Sequence, residues 1–348
     1  MTIKRANWLF LTIILTHIGV ALLLYFGGSR FFVDIVTNFL LSEGILMIPT
    51  ALFLFASARR TGQALPAGGS AENNAGGLRP FEAAAFHRVK ISTLLMIALC
   101  TFLIMPLVVV LNALSMFFVD NALDFLQGDI ESMPFSVMLL MIGIVAPFCE
   151  EFVFRGVIYR SYRGNDRNGN NGCYAADRRE GLRAVLLSAF LFGLMHMNYN
   201  QMIYAFAMGI FLALLVEAAG SLWASVFCHM FFNSVEVVLM YVSSWLQDSI
   251  YGQTAGGAVE PTTRGLLTAL SFYLIIAAVT TPIAGCIIVW IAKNEGRQQA
   301  FSALFFRRKK QGVSQQQNEQ EPYYLLSVPL VVAIVLCLGF MSLEFFLF

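Results

Sequence analysis

The fourth apolar stretch of the chain contains Cys149-Glu150-Glu151-Phe152-Val153-Phe154-Arg155-Gly156. Ionisable groups in a hydrocarbon-length segment are costly and are kept for pairing or chemistry. Glu151 and Arg155 are four residues apart, so on a helix they share a face and can form an ion pair. Glu150 points roughly 100° away around the same helix and has no charge partner in its own segment. One carboxylate reads as structural. The other is available to accept or donate a proton, as a general base or acid must.

Further polar groups lie on later apolar stretches. Phe192-Gly193-Leu194-Met195-His196 ends the fifth, and His229-Met230-Phe231-Phe232-Asn233 lies in the seventh, again with an i, i+4 spacing. The chain has four histidines in all, and two of them fall here. A carboxylate with an imidazole can take a proton from water, and imidazole and amide donors on one helical face can bind an oxyanion. Glu236 follows at i+3 from Asn233 on nearly the same face and could line the cavity or orient His229. His17 and Glu43, in the first two stretches, read as interhelical hydrogen bonders.

The elements that must carry these groups are membrane helices. The 348 residues are 58% hydrophobic and 12% charged, with a mean hydropathy of +0.72. A soluble domain cannot hide that much apolar side chain, so lipid is the solvent for most of it. A net charge of +1 argues against a nucleic-acid partner, which would call for a basic excess. The six cysteines show no C-x-x-C spacing, and five lie in apolar runs, as small core residues do.

Spanning a bilayer takes about 20 apolar residues as helix. Nine candidate segments follow: Trp8 to Phe26, Phe32 to Ala56, Ile91 to Phe118, Pro134 to Tyr159, Ala184 to Met197, Met202 to Val216, Ser221 to Trp245, Leu266 to Ile291 and Tyr324 to Phe348. The fold class expected is therefore all-α, a transmembrane bundle of about eight or nine helices around a buried polar site. The fifth and sixth segments are short and are joined by the polar Asn198-Tyr199-Asn200-Gln201. Residues 62–77, 165–172 and 311–321 have a loop composition. Three parts are expected: N-terminal helices and a loop (1–133), a core carrying the motifs (134–245), and C-terminal helices (246–348). Basic residues gather in alternate loops, for example Arg59, Arg60, Arg79, Arg88 and Lys90, then Arg160, Arg163, Arg167, Arg178, Arg179 and Arg183. Nine spans with a cytoplasmic N-terminus put these loops on the cytoplasmic side. A rise of ~1.5 Å per residue then places Glu150 about 15 Å, His196 about 20 Å and His229 about 12 Å deep, in one slab.

Glu-Glu-x-x-x-Arg, Phe-x-x-x-His and His-x-x-x-Asn, in this order on successive membrane helices, resemble the CPBP (Abi) family of intramembrane endopeptidases, which includes the type II CAAX prenyl proteases. The resemblance covers about Pro134 to Val238. It implies that Glu150 and His196 activate a water against a peptide carbonyl, that His229 and Asn233 bind the oxyanion, and that Glu151 with Arg155 holds the helix in register. It implies a membrane-bound peptide or protein substrate and an enzyme that needs no cofactor. Two histidines and a glutamate could also ligate zinc with an open fourth position, but no H-E-x-x-H is present.

Two other classes compete. A non-catalytic scaffold would not need all six polar residues. A proton-coupled transporter would show internal repeats, which the sequence lacks. A compact chain without eukaryotic sorting signals leans towards a prokaryotic cell membrane.

Overall fold

The computed structural model describes residues 1–27, 34–60, 86–119, 133–163, 178–251, 263–306 and 325–347. The low-complexity stretches, the acidic segment from Asp120 to Glu131, Cys173, and the basic residues Arg79, Arg167 and Arg307 to Lys310 lie outside them. Among the described residues there is no strand. The helices are α1 (Ile3–Gly27), α2 (Ile35–Arg60), α3 (Ile91–Ser115), α4 (Phe135–Arg163), α5 (Arg178–Met195), α6 (Tyr199–Ala219), α7 (Leu222–Tyr251), α8 (Thr263–Asn294), the short α9 (Gln298–Ser302) and α10 (Val328–Leu347).

Seven of them, α1 to α4 and α6 to α8, are long and apolar enough to cross a bilayer, and the chain is an integral membrane protein. The remaining two of the nine expected segments are α5 and α10. α5 begins at Arg178, before the expected Ala184, and its first turns carry Arg178, Arg179, Glu180 and Arg183. Those charges lower its apolarity and leave fewer residues for the hydrocarbon. The apolar part of α10 is the shorter Val328–Leu343.

The helix ends follow from local chemistry. Asp34 precedes α2 and accepts hydrogen bonds from the backbone N–H and hydroxyl of Thr37 and from Val36 N–H. The Thr37 bonds hold its exposed carboxyl below the usual carboxylate range, and they occupy N–H groups that a helix start leaves open. The polar stretch 198–201 is a tight turn and a cap: Asn198 Oδ1 accepts from Gln201 N–H at 3.0 Å and starts α6. Asn200 is fully buried and donates to Asn112 Oδ1 and Ser115 Oγ, tying the start of α6 to the end of α3. Gly220 ends α6 with φ +69°, the left-handed conformation a glycine accepts most readily.

Two large buried clusters make up most of the interior described, with a small third around Met138 and Val237. One joins α1, α2, α4, α5 and α10, with contributions from α6 and α7. The other joins α3, α6, α7, α8 and α9. Helices α6 and α7 contribute to both, so groups placed on α4, α5 and α7 face one another well inside protein. α5 and α6 approach closely because Gly209 has no side chain: a Cβ there would lie 2.9 Å from Ala189 Cα. Four described cysteines, Cys100, Cys149, Cys228 and Cys337, are buried and free, and Cys286 is exposed.

Gly209→Val is therefore expected to force α5 from α6 and cost about 1–3 kcal/mol, the usual range for overpacking. Chemical unfolding in detergent checks this, and an unchanged midpoint would show that the hairpin tolerates separation.

Candidate active site

α4 is not a uniform helix. It alternates α-helix (Phe135–Met138), π-helix (Leu139–Val145), α-helix (Ala146–Glu151), π-helix (Phe152–Tyr159) and α-helix (Arg160–Arg163). Pro147 accounts for the first widening. It has no N–H, so carbonyls one turn earlier lose their donor. Those carbonyls bond across to α7: Asn233 Nδ2 donates to Ile142 O at 3.0 Å, and Ser234 Oγ donates to Gly143 O at 3.4 Å. The approach needs a glycine at 143, where a Cβ would lie 2.8 Å from Ser234 Oγ. Glu150 and Glu151 thus sit in the α-helical stretch between two wide turns, an irregularity often found at functional sites.

Glu151 is the fixed point. It is fully buried, and its Oε1 accepts from Arg155 Nη1 at 2.6 Å and from His229 Nδ1 at 3.0 Å. Arg155 is also buried; its Nη2 donates to Gly209 O at 3.4 Å, and its guanidinium stands 4.1 Å above the Phe192 ring. The expected i, i+4 pair is present, and it also orients an imidazole from α7.

His229 lies between the two carboxylates. With Nδ1 held by Glu151, its Nε2 faces Glu150 Oε2 at 3.8 Å. His196 comes to the same place by another route. Its ring and that of His229 both meet Phe192 edge-on, with centroids 5.0 and 5.8 Å away. His196 Nδ1 donates to Phe192 O at 2.8 Å, which leaves Nε2 as the acceptor nitrogen in the neutral ring. His196 makes no direct bond to Glu150 among the described interactions; His229 is the ring within 4 Å of it.

Asn233 Nδ2 holds Ile142 O with one N–H, and an amide nitrogen carries a second. Glu236 is on the exposed face of α7, apart from the buried Glu151–Arg155–His229 cluster. Among the described residues no three His, Cys, Asp or Glu side chains are grouped to hold a metal ion.

Three contributors were not singled out from the sequence. Phe192 was read only as a motif letter, yet it carries the Arg155 guanidinium and both imidazoles. Pro147 was visible in the middle of the span and marks the wide turn. Met197, directly after His196, has φ +52°, a conformation unusual for a bulky residue. It fixes the turn from α5 into α6 and had no sequence signal of its own.

Residues 132–235, which include every group named in this cluster, match the family model described as Type II CAAX prenyl endopeptidase Rce1-like. Over this region the chain resembles those endopeptidases, as its motifs did. A Bacillus subtilis (strain 168) protein titled "Putative membrane peptidase YdiL" is 24% identical over 103 residues, 30% of this chain. The chain thus spans 37% of that relative's length. No solved structure matches.

Arg155→Ala would leave Glu151 as a buried charge without its cation, at a cost of about 3–5 kcal/mol. The checking measurement is an unfolding midpoint in detergent; a shift equivalent to under about 1 kcal/mol would mean that the pair is screened as surface pairs are.

Proposed function

We propose that the protein is an intramembrane endopeptidase that hydrolyses a peptide bond in a membrane-bound peptide or protein, with a prenylated CAAX-type C-terminus as the leading substrate class. The observation that carries this reading is the position of Glu150, whose Oε2 lies 3.8 Å from Nε2 of an imidazole that Glu151 and Arg155 hold in place. The family match over residues 132–235 supports the same chemistry.

In this reading Glu150 takes a proton from water, with His196 Nε2 as the second acceptor. The hydroxide adds to the carbonyl carbon. His229 and Asn233 donate to the resulting oxyanion, the C–N bond breaks, and the proton taken from water passes to the leaving nitrogen. Donation from His229 Nε2 while Nδ1–H is held by Glu151 requires both ring nitrogens to carry protons. Asn233 is anchored by Ile142 O, so its remaining N–H is pre-aimed, which is where such donors gain their effect. The reaction needs no metal.

We further propose, from the positive-inside bias of the loops, that the N-terminus lies in the cytoplasm, that the host membrane is prokaryotic, and that residues 134–245 form the catalytic core between two flanking sets of helices. A non-catalytic scaffold is the competing reading, and the organised Glu151–His229–Glu150 row disfavours it.

The test uses purified protein in proteoliposomes with a fluorogenic farnesylated CAAX-type peptide. Glu150→Gln and His196→Ala are each expected to lower kcat by about 10²–10⁴-fold, as removal of a proton-transfer group does. Asn233→Ala is expected to lose about 10²–10³-fold. Full retention of cleavage by all three variants would sink the assignment. Cleavage should also survive dialysis against a strong zinc chelator, and loss that zinc alone restores would replace the metal-free scheme.

A further inference from the structure

Helix α5 falls short of a full span, and a groove opens beside it. Arg183, Leu186, Leu187 and Phe190 line it, and their three- and four-residue steps put them on one face of α5. Phe206 of α6 and Leu325 and Leu326, just before α10, supply the rest of the lining. The Phe206 ring meets Phe190 edge-on with centroids 6.3 Å apart. The groove encloses about 650 Å³, a volume in the range of small-molecule sites.

The wall before α10 is pinned by polar groups of two other helices. Asn7 of α1 is fully buried, and its Nδ2 donates to Leu325 O and to Ser327 Oγ, both at 2.8 Å. Asn7 Oδ1 accepts from the hydroxyl of Tyr162, near the end of α4, at 2.7 Å. The start of α5 meets the same end of α4: a Cβ on Gly181 would lie 3.1 Å from Arg163 Nη1. So α1 begins, α4 ends, α5 begins and α10 begins at one end of the bundle. Lys4, Arg5, Arg160 and Arg183 are all at these helix ends. Basic helix ends sit at the level of the lipid headgroups, where they attract anionic lipid.

The groove is therefore a slot with a cation at its headgroup end and apolar walls below. Arg183 is exposed and makes no ion pair or hydrogen bond with another described residue. No carboxylate lines the groove; Glu180, one turn earlier on α5, is outside the lining. We propose that this groove binds one anionic phospholipid of the surrounding bilayer, with its phosphate on Arg183 and an acyl chain along Leu186, Leu187, Phe190 and Phe206. The apolar lining suits a hydrocarbon chain, and the unopposed cation suits a headgroup of net negative charge. The bound lipid braces α5, which carries His196, against α6 and the start of α10. This site goes beyond the peptidase reading and does not depend on it.

The test is native mass spectrometry of the full chain released from detergent, with phosphatidylglycerol or phosphatidylcholine of the same acyl chains added. For the first lipid bound, phosphatidylglycerol is expected to have a Kd about fivefold tighter, the equivalent of the ~1 kcal/mol that one surface cation contributes with anionic lipid. Arg183→Gln is expected to abolish that preference, and Arg183→Lys to keep it. Leu186→Trp fills the groove from its exposed rim and is expected to weaken the first binding of both lipids. Equal binding of the two lipids by wild type, a preference that survives Arg183→Gln, or unchanged binding in folded Leu186→Trp each overturns the proposal. If Leu186→Trp does not fold, Arg183→Gln, at an exposed position, decides alone. Displacement of the bound phosphatidylglycerol by the farnesylated peptide would assign the groove to substrate and overturn the lipid site. No arm of this experiment requires cleavage, so an inactive protein that binds phosphatidylglycerol as described sinks the peptidase reading and leaves the lipid site standing.

Discussion

A carboxylate buried in a membrane protein must be compensated, and the compensation of Glu151 organises everything around it. One oxygen accepts from Arg155 and His229 together. The arginine cannot leave without stranding a charge in low dielectric, and it is further held by the Gly209 carbonyl and the face of Phe192. The imidazole therefore has one orientation, with Nδ1 inward and Nε2 towards Glu150. What looks like a structural ion pair is also the device that aims a ring from another helix.

The irregular backbone of α4 serves the same end. A regular helix would satisfy the carbonyls of Ile142 and Gly143 internally and give α7 no polar foothold. Pro147 removes the donor, the turn widens, and Asn233 and Ser234 take its place. The lost backbone bond becomes an interhelical one, and it falls one helical turn from His229 on the same helix. Deviation from ideal geometry and placement of the site are here one event.

How far this was legible in the sequence depended on the range of each interaction. The Glu151–Arg155 pair follows from i, i+4 spacing, and the membrane helices follow from apolar length, so both were readable. The cap at Asn198 explains a polar stretch that looked like a weakness in the helix count. The contact between Glu151 and His229 was not readable, because it depends on how π-helical turns rotate α4 against α7. Nor was the 3.8 Å approach of His229 to Glu150, since depth along each helix says nothing of which ring faces inward. The shortfall of α5 as a span arose from charges that lie before the point where apolarity begins.

The central claim is that Glu151 acts through His229. A double-mutant cycle on cleavage of the farnesylated peptide, built from Glu151→Gln, His229→Gln and the double variant, measures it most directly. The account predicts that the double variant is no slower than His229→Gln alone, because the carboxylate has no further ring to aim. Losses that multiply would show that the two side chains act independently, and the arrangement described here would not be the one that works.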